Sequence, residues 1–403
     1  MKKVSVIGAG FAGLTVSLRL AQKGFTVDLY EKSARVGGLL GTDQTEYGIA
    51  ERAANALMRT KKSEDLFTEL GVEKSLPLKE SRRRFIYRYT PKQWPLTFLE
   101  TLFFIGKVVP RALFAKKSMK PVAGETLESW GQRILGGTAT EHILGPAMQG
   151  IYGNDISGLS SKLILSPLFT KKKKDGYKGL LTGPGGMQDL VNHLETRLRA
   201  LGVHIHLNSE VNVAKLDGPV IVATSASTAA KLLETAEPET SSVLKKIRMS
   251  SLMSVTMFFK KPQETYKGFG CLIPRGFDLK ALGVLMNSYI FKDRDKTYNE
   301  TWILGGVKEA QLLDLSDAEL LKLIAEERFR ILGNKEGLLD YRINRWHEAL
   351  PYYDLNLEKA QEELTQLPKS RFVLHGNYLS GIGLSKILER SEIIADEIAG
   401  QHG

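Results

Sequence analysis

The chain has 403 residues, of which 42% are hydrophobic and 25% are charged, and its formal net charge is +11. This composition is typical of a globular protein with two or three domains and excludes a largely disordered chain. The single cysteine, Cys271, excludes an intrachain disulfide and a multi-cysteine metal site, and suits a reducing compartment such as the cytoplasm. We expect no metal centre, because His204 and His206 have no third ligand near them in the sequence.

Basic residues are concentrated in three short segments, 82–84, 116–117 and 171–174. An excess of positive charge favours an anionic partner, either an anionic substrate or a membrane surface with anionic lipids. Nucleic acid is not an expected partner, because no nucleic-acid-binding motif accompanies the charge. No apolar run is long enough to predict a membrane-spanning helix.

The first forty residues predict a nucleotide-binding unit. An apolar strand at 4–7 leads into a glycine-rich turn and a helix, and a second strand, Thr26–Tyr30, closes with Glu31. In such a unit the glycines allow the tight turn, the approach of a pyrophosphate and close packing of the helix on the strand. The helix N-terminus favours anions, and the acid accepts hydrogen bonds from ribose hydroxyls. The predicted contacts are Gly8, Ala9, Gly10, Phe11, Ala12, Gly13 and Glu31.

The residues after Glu31 indicate which dinucleotide the unit binds. They resemble the E-x3-R-x-G-G run of two-dinucleotide-binding-domain flavoproteins, the amine oxidase superfamily. The resemblance implies FAD as the cofactor. It also implies that Arg35 pairs with a phosphate and that the two glycines let the chain pass along the cofactor. The residues concerned are Lys32, Arg35, Gly37, Gly38 and Leu39.

In the middle of the chain, a Gly-Pro-Gly-Gly turn at 183–186 precedes a predicted helix at 191–201. We expect a strand at 203–213, a hairpin around Asp217 and Gly218, and a strand at 220–224. This order resembles the superfamily's return to the cofactor domain. The resemblance implies that the backbone near Val211 contacts adenine.

Near the C-terminus, a predicted strand at 371–375 is followed by a glycine-containing loop and a helix with an apolar stripe. In the superfamily this loop meets the pyrophosphate and the helix N-terminus faces the flavin ring. Fixed N–H donors at that point stabilise the negative charge that reduction places on the ring. The implied contacts are Gly376, Asn377, Ile382, Gly383 and Leu384.

The rest of the chain does not follow the doubly wound pattern. We therefore predict an α/β fold with a Rossmann-like FAD-binding domain, a mixed-sheet substrate domain and a helical insertion. Strands are expected at 252–259, 282–290 and 302–307. The FAD-binding domain is assigned to 1–75, 185–245 and 340–403. The helical part of the substrate domain, with membrane association as one interpretation, is assigned to 76–184, and the substrate-binding sheet to 246–339.

Three further segments resemble the protoporphyrinogen oxidase family in order along the chain: 145–160, 268–274 and 349–353. The resemblance implies oxidation of a porphyrinogen to a porphyrin in haem synthesis, with a hydride passing to flavin N5 and oxygen as the usual acceptor. Two alternatives stay open: a flavin oxidase or desaturase for an amine or an apolar polyene, and a non-catalytic flavin-binding partner protein. Anaerobic bleaching of the flavin by candidate substrates distinguishes them.

The family often has an arginine after Trp94 and Pro95 to hold a substrate propionate, but Thr97 follows here. We therefore expect a propionate to be bound by Arg84, Arg88 or Lys92. Residues 98–113 predict an amphipathic helix that either lies on the inner face of a membrane or belongs to the core of the substrate domain.

Overall fold

The computed structural model describes residues 2–170, 176–292, 294, 296–334 and 337–402. The basic segment 171–174 lies outside the described residues. The strands within the described ranges are β1 (Lys3–Ile7), β2 (Thr26–Tyr30), β3 (Thr42–Gln44), β4 (Ile49–Glu51), β5 (Leu57–Met58), β6 (Phe85–Arg88), β7 (Thr90–Lys92), β8 (Leu180–Leu181), β9 (His204–His206), β10 (Val220–Val222), β11 (Met249–Phe259), β12 (Gly270–Leu272), β13 (Gly283–Leu285), β14 (Tyr298–Gly305), β15 (Leu338–Pro351) and β16 (Phe372–Leu374).

The α-helices within the same ranges are α1 (Phe11–Gln22), α2 (Lys61–Leu70), α3 (Phe98–Phe114), α4 (Leu127–Ile134), α5 (Gly137–Ala139), α6 (Gly145–Tyr152), α7 (Ser161–Phe169), α8 (Met187–Ala200), α9 (Ala226–Leu233), α10 (Pro238–Leu244), α11 (Asp317–Leu332), α12 (Leu355–Gln366), α13 (Asn377–Ser380) and α14 (Leu384–His402). A π-helical turn, Thr140–Leu144, joins α5 to α6. Short 3-10 helices lie at Glu80–Arg82, Lys116–Met119, Val213–Lys215, Asn287–Tyr289 and Val307–Asp314. None of the described helices is both long enough and apolar enough to cross a bilayer.

A five-stranded parallel sheet forms the centre of the first domain, in the order β16-β10-β1-β2-β9. Apolar side chains alternate between its faces, so Ile221 packs in the core with α1, α8 and α14, and its neighbours Val220 and Val222 pack in the core on the opposite side. The predicted α/β fold is confirmed, since this sheet is wound by helices on both faces.

The predicted hairpin around Asp217 and Gly218 is wrong. β9 pairs with β2 and β10 pairs with β1, so two strands separate the expected hairpin partners. The strand expected at 203–213 ends at His206, and Val213 lies in a 3-10 turn capped by the Asn212 side chain. The apolar residues of this loop, among them Val211 and Val213, pack against the core beneath the sheet. Their spacing of two gives the sequence the alternation of apolar and polar residues that is typical of a strand.

A seven-stranded mixed sheet forms the second domain, in the order β15-β11-β14-β13-β12-β6-β7. β12 and β6 are parallel, and the other pairs are antiparallel. The structure differs from the predicted domain boundaries at two places. The proposed boundary at residue 340 falls inside β15, and β6 and β7 bring part of the segment assigned to the helical insertion into the sheet.

The two histidines of β9 contact one carboxylate. His206 Nε2 lies 2.9 Å and His204 Nδ1 3.3 Å from Asp28 Oδ1, and Lys3 Nζ lies 2.8 Å from Asp28 Oδ2. Opposite charge and hydrogen bonds lower the pKa of Asp28 against the effect of its burial. These interactions join the edge strand β9 to β1 and β2.

Candidate cofactor and substrate site

The glycine-rich turn lies at the carboxyl end of β1, at the centre of the parallel sheet. Gly8 has a φ of +96°, and a Cβ atom built on Gly13 would lie 1.8 Å from the Gly8 carbonyl oxygen. Helix α1 therefore starts in direct backbone contact with β1. Its first turn carries no side-chain cap and no acidic residue, which suits an N-terminus that binds an anion.

Glu31 follows β2 and reaches back to this turn. Its Oε2 accepts a hydrogen bond from Ala9 N over 2.8 Å, and its Oε1 accepts from Ser33 N over 2.9 Å and from Ser33 Oγ over 2.8 Å. The carboxylate is thus held beside the N-terminus of α1, where a ribose next to a bound pyrophosphate would lie. Lys32 is exposed.

The segment after Glu31 packs on the same turn. Gly37 N donates to Ala9 O over 2.8 Å, and a Cβ on Gly38 would lie 3.0 Å from Gly10 Cα. The Arg35 guanidinium donates to the carbonyls of Gly38, Leu40 and Val36 over 2.6, 3.0 and 3.2 Å. Arg35 therefore braces the glycine loop, and its pairing with a phosphate remains a prediction.

The C-terminal loop meets the turn at the same edge of the sheet. A Cβ on Gly8 would lie 2.8 Å from Ala223 O, and one on Gly376 would lie 3.2 Å from Thr224 O, so β1, β10 and β16 converge there. After α13 the chain turns at Gly381, with φ +98°, and α14 begins at Leu384. Gly376 is thus brought to the edge that carries the predicted pyrophosphate turn, with Asn377 next to it in the chain, and the contacts of Ile382, Gly383 and Leu384 with the cofactor remain predictions. Val211 is partly buried against the core below the sheet.

One face of the seven-stranded sheet approaches this cofactor segment. The Trp346 indole N–H and the Ser254 hydroxyl both donate to Arg52 O over 2.9 Å, and Arg52 N donates to Gly41 O over 2.9 Å. Asn55 Nδ2 donates to Asn287 Oδ1 over 3.2 Å. The opposite face of the sheet is apolar and packs on α11. The face that meets the cofactor domain is therefore the candidate substrate face.

A buried polar network runs across that face. Asn287 Nδ2 donates to Asn299 Oδ1 and Thr301 Oγ1 over 2.7 Å each, and Thr301 shares a hydrogen bond of 2.8 Å with Thr256. A polar cavity of about 10 Å³, large enough for one water molecule, adjoins Asn55 and Asn287. These residues were not predicted from the sequence. The available signal was polar side chains at every second position, Ser254 and Thr256, within an apolar strand.

The predicted substrate cations lie at the far edge of this sheet. Arg84 precedes β6, Arg88 ends it, and Lys92 ends β7. Five steps between strands separate β15 from β6, and at about 4.8 Å each they place Arg88 on the order of 24 Å from Trp346. Contact with both regions would require a large substrate.

Arg88 is not the free cation that the sequence suggested. Its guanidinium donates to both carboxylate oxygens of Glu100, over 2.7 and 2.9 Å, and to Pro95 O over 2.7 Å. The hydrogen bond with Arg88 is the largest cause that lowers the pKa of Glu100 to about 2. Lys92 and Arg84 are exposed, and the Arg84 guanidinium lies 4.7 Å from the centre of the Phe269 ring. Of the three predicted cations, Arg84 and Lys92 are thus the accessible ones.

Nearly the whole chain matches a known protein family. Residues 11–384 match the family of flavin containing amine oxidoreductases. The chain belongs to this family. FAD is accordingly its cofactor and oxidoreduction its reaction class. The residues fit FAD: an uncapped helix N-terminus, two glycine contacts that a side chain would block, and the acid predicted to bind a ribose converge at one sheet edge.

Individual relatives extend over nearly the full length. Protoporphyrinogen oxidase 2 of Arabidopsis thaliana is 24% identical, with 96% of this chain and 91% of the relative covered. Coproporphyrinogen III oxidase of Bacillus subtilis is 23% identical, with 97% of this chain and 96% of the relative covered. A crystal structure from Exiguobacterium sp. 255-15, provisionally assigned as a protoporphyrinogen oxidase, superposes with a TM-score of 0.79 at 18% identity and covers 99% of both chains. It shows the same fold.

Replacement of Glu31 tests the proposed ribose contact. We expect Glu31→Ala to raise the dissociation constant of FAD about 10- to 150-fold, because a charge-assisted hydrogen bond contributes about 1.5–3 kcal/mol. Glu31→Gln, which keeps an acceptor without the charge, should fall between this variant and the wild type. Free flavin fluorescence after serial dilution of the purified protein measures the loss. Wild-type retention by Glu31→Ala would remove Glu31 from the proposed site.

Proposed function

We propose that this chain oxidises a porphyrinogen to the porphyrin, as an FAD-dependent enzyme of haem biosynthesis. The observation that carries the proposal is the similarity to protoporphyrinogen and coproporphyrinogen III oxidases over both the cofactor half and the substrate half of the chain. Bound FAD supplies the two-electron acceptor for a hydride, and oxygen is the proposed final acceptor.

The protein's part in this reaction is to hold a large macrocycle against the cofactor. A porphyrinogen has an apolar ring and carboxylates on its edge. The substrate face offers the apolar side chains Leu272, Ile303 and Ile86 between the polar network and the far edge. Helix α6 approaches the same face, where a Cβ on Gly150 would lie 2.3 Å from Leu272 Cδ2. The proposed carboxylate contacts are Arg84 and Lys92, with Arg88 reachable only if its pair with Glu100 opens.

The reaction is tested by anaerobic mixing of purified protein with freshly reduced coproporphyrinogen or protoporphyrinogen. We expect flavin absorbance to bleach and porphyrin fluorescence to rise faster than in the enzyme-free control. Arg84→Ala should raise KM about 10-fold with less effect on kcat, which corresponds to the loss of about 1.4 kcal/mol of binding. Failure of both porphyrinogens to reduce the flavin would refute the proposal, and amines and polyenes would then be assayed.

We further propose that α3 places the protein on an anionic membrane surface. No residue of α3 is buried, with Phe98 76% and Phe114 88% exposed, so the alternative of a core helix is wrong. Thr97 and Glu100 form a capping box that starts the helix. A groove of about 250 Å³ lies between α3 and α5, with apolar walls that include Phe103 and Leu135. Exposed aromatic side chains next to the basic pair at 116–117 suit the boundary between lipid tails and head groups.

Vesicle flotation tests this contact. We expect the protein to float with vesicles that contain anionic lipid at low salt and to release as salt is raised. Phe103→Ser together with Leu113→Ser should abolish flotation without loss of FAD, because these side chains are 68% and 69% exposed. Absence of binding at low salt would exclude a membrane role for α3.

A further inference from the structure

The C-terminal loop is tied to the rest of the protein by two side chains outside the cofactor domain's sheet. The Tyr353 hydroxyl donates to Asn377 O, and Gln361 Nε2 donates to Tyr378 O over 2.6 Å. Asn377 and Tyr378 are the first two residues of α13, which immediately follows Gly376. Two successive carbonyl groups of α13 are thus each held by a side chain from elsewhere: one from the residues that follow β15, the other from α12.

Helix α13 has little internal support of its own. Its backbone donors Leu379 N and Ser380 N both reach Gly376 O, over 3.1 Å each. The chain then leaves the helix at Gly381, where φ is +98°. A single turn bonded to one carbonyl is a weak structure in isolation. Its position therefore depends on contacts from outside the helix: the burial of the Tyr378 ring in the core, and the side chains that hold its other carbonyls.

Tyr353 is buried at a point from which it can hold α13 in position. It is 3% exposed, and its ring centre lies 5.1 Å from that of Tyr152 at the end of α6. Burial raises the pKa of the Tyr353 hydroxyl far above its ordinary value, so the group stays a hydrogen-bond donor. The contact joins α6, which approaches the substrate face, to the loop that precedes α14.

We propose that Tyr353, together with Gln361, is a positioning residue that holds α13 and thereby aligns the N-terminus of α14 with FAD. This rests on the proposed contact of residues 376–384 with the cofactor, but not on the identity of the substrate. Neither side chain needs to touch the reacting atoms. Their effect passes through the Asn377 and Tyr378 carbonyls to the turn at 381–383. The N–H groups that begin α14 then stabilise charge on the reduced ring.

The test compares Tyr353→Phe with Tyr352→Phe. Each loses one hydroxyl at the end of β15, but the Tyr352 hydroxyl lies beside Gly158, away from the loop. We expect Tyr353→Phe to raise the FAD dissociation constant about 10-fold, the usual effect of one lost buried hydrogen bond. If reduced FAD is weakened about 10-fold more than oxidised FAD, the two-electron midpoint potential falls by about 30 mV. Tyr352→Phe should change neither quantity.

Both quantities are measured on the purified holoprotein, by free flavin fluorescence on dilution and by anaerobic redox titration. Neither measurement needs a substrate. The positioning role of Tyr353 can therefore be refuted while porphyrinogen oxidation holds, and porphyrinogen oxidation can be refuted while the positioning role holds. Values for Tyr353→Phe equal to those of Tyr352→Phe would overturn the proposal. If Tyr353→Phe is not recovered folded, Gln361→Met is measured instead, and an unchanged FAD affinity and potential would overturn it equally.

Discussion

Gly13→Ala is expected to yield protein that lacks FAD. The added Cβ would lie 1.8 Å from the Gly8 carbonyl oxygen and 3.0 Å from its carbonyl carbon. Both obstacles are backbone atoms of the pyrophosphate turn, so no side-chain rotation relieves the clash. Helix α1 must move away from β1, and the N–H groups at its start move with it. A cost of about 3 kcal/mol, at the upper end for overpacking, lowers FAD affinity by roughly 100-fold or more.

The ratio of flavin absorbance to protein absorbance in the purified sample measures this loss, followed by titration with added FAD. Gly400→Ala in α14 is the matched control, because a Cβ there would meet nothing within 4 Å. That variant should keep full FAD content. A yellow Gly13→Ala protein with wild-type FAD affinity would show that α1 does not form the cofactor cradle.

Arg328→Met is expected to cost about 3–5 kcal/mol of the free energy of unfolding, because it leaves a buried carboxylate without its partner. Arg328 is 1% and Glu300 0% exposed, and two hydrogen bonds of 2.9 and 3.1 Å join them. The guanidinium also lies 3.7 Å from the centre of the Phe259 ring. The pair is in the core of the seven-stranded sheet, on the face away from the candidate site.

Thermal and urea unfolding, followed by tryptophan fluorescence, measure this loss. The double variant Arg328→Met with Glu300→Met removes both charges and should recover most of the stability. FAD content per folded molecule should remain that of the wild type in both variants, since the change is remote from the cofactor. A single variant as stable as the wild type would mean that Glu300 becomes neutral at negligible cost.

The sequence predicted the start of the cofactor domain well, and the order of its C-terminal elements, because those signals are local. The strand Thr26–Tyr30 matches the structure, and the C-terminal strand, glycine-containing loop and helix occur in the predicted order, since glycine turns and apolar periodicity define them within a few residues. The long-range pairings were not predictable. β6 joins β12 in parallel across nearly two hundred residues of sequence, and no local pattern encodes such a pairing.

The errors at the candidate site have a related cause. Arg84 and Arg88 are equivalent in a sequence, but Glu100 on the following helix neutralises only Arg88. Likewise the spacing of Arg35 predicts a phosphate contact, but it does not reveal the bonds to the carbonyls of its own loop. A charged residue's availability depends on which partners the fold brings to it, and that information is distributed over the chain.

The order of strands in the parallel sheet also dictates when the protein can acquire its cofactor during synthesis. Gly38 and Leu384 are both predicted to contact the cofactor, yet they stand 346 positions apart in the chain. A ribosome that adds about 5–20 residues per second therefore needs on the order of 20–70 s to supply the second after the first. Between the synthesis of β10 and that of β16, β10 lacks its outer neighbour, and this edge of the sheet is open to chaperones or to mispairing. If residues 376–384 contact FAD as proposed, flavin capture is completed late in biogenesis, and nascent chains arrested before Leu384 should be colourless.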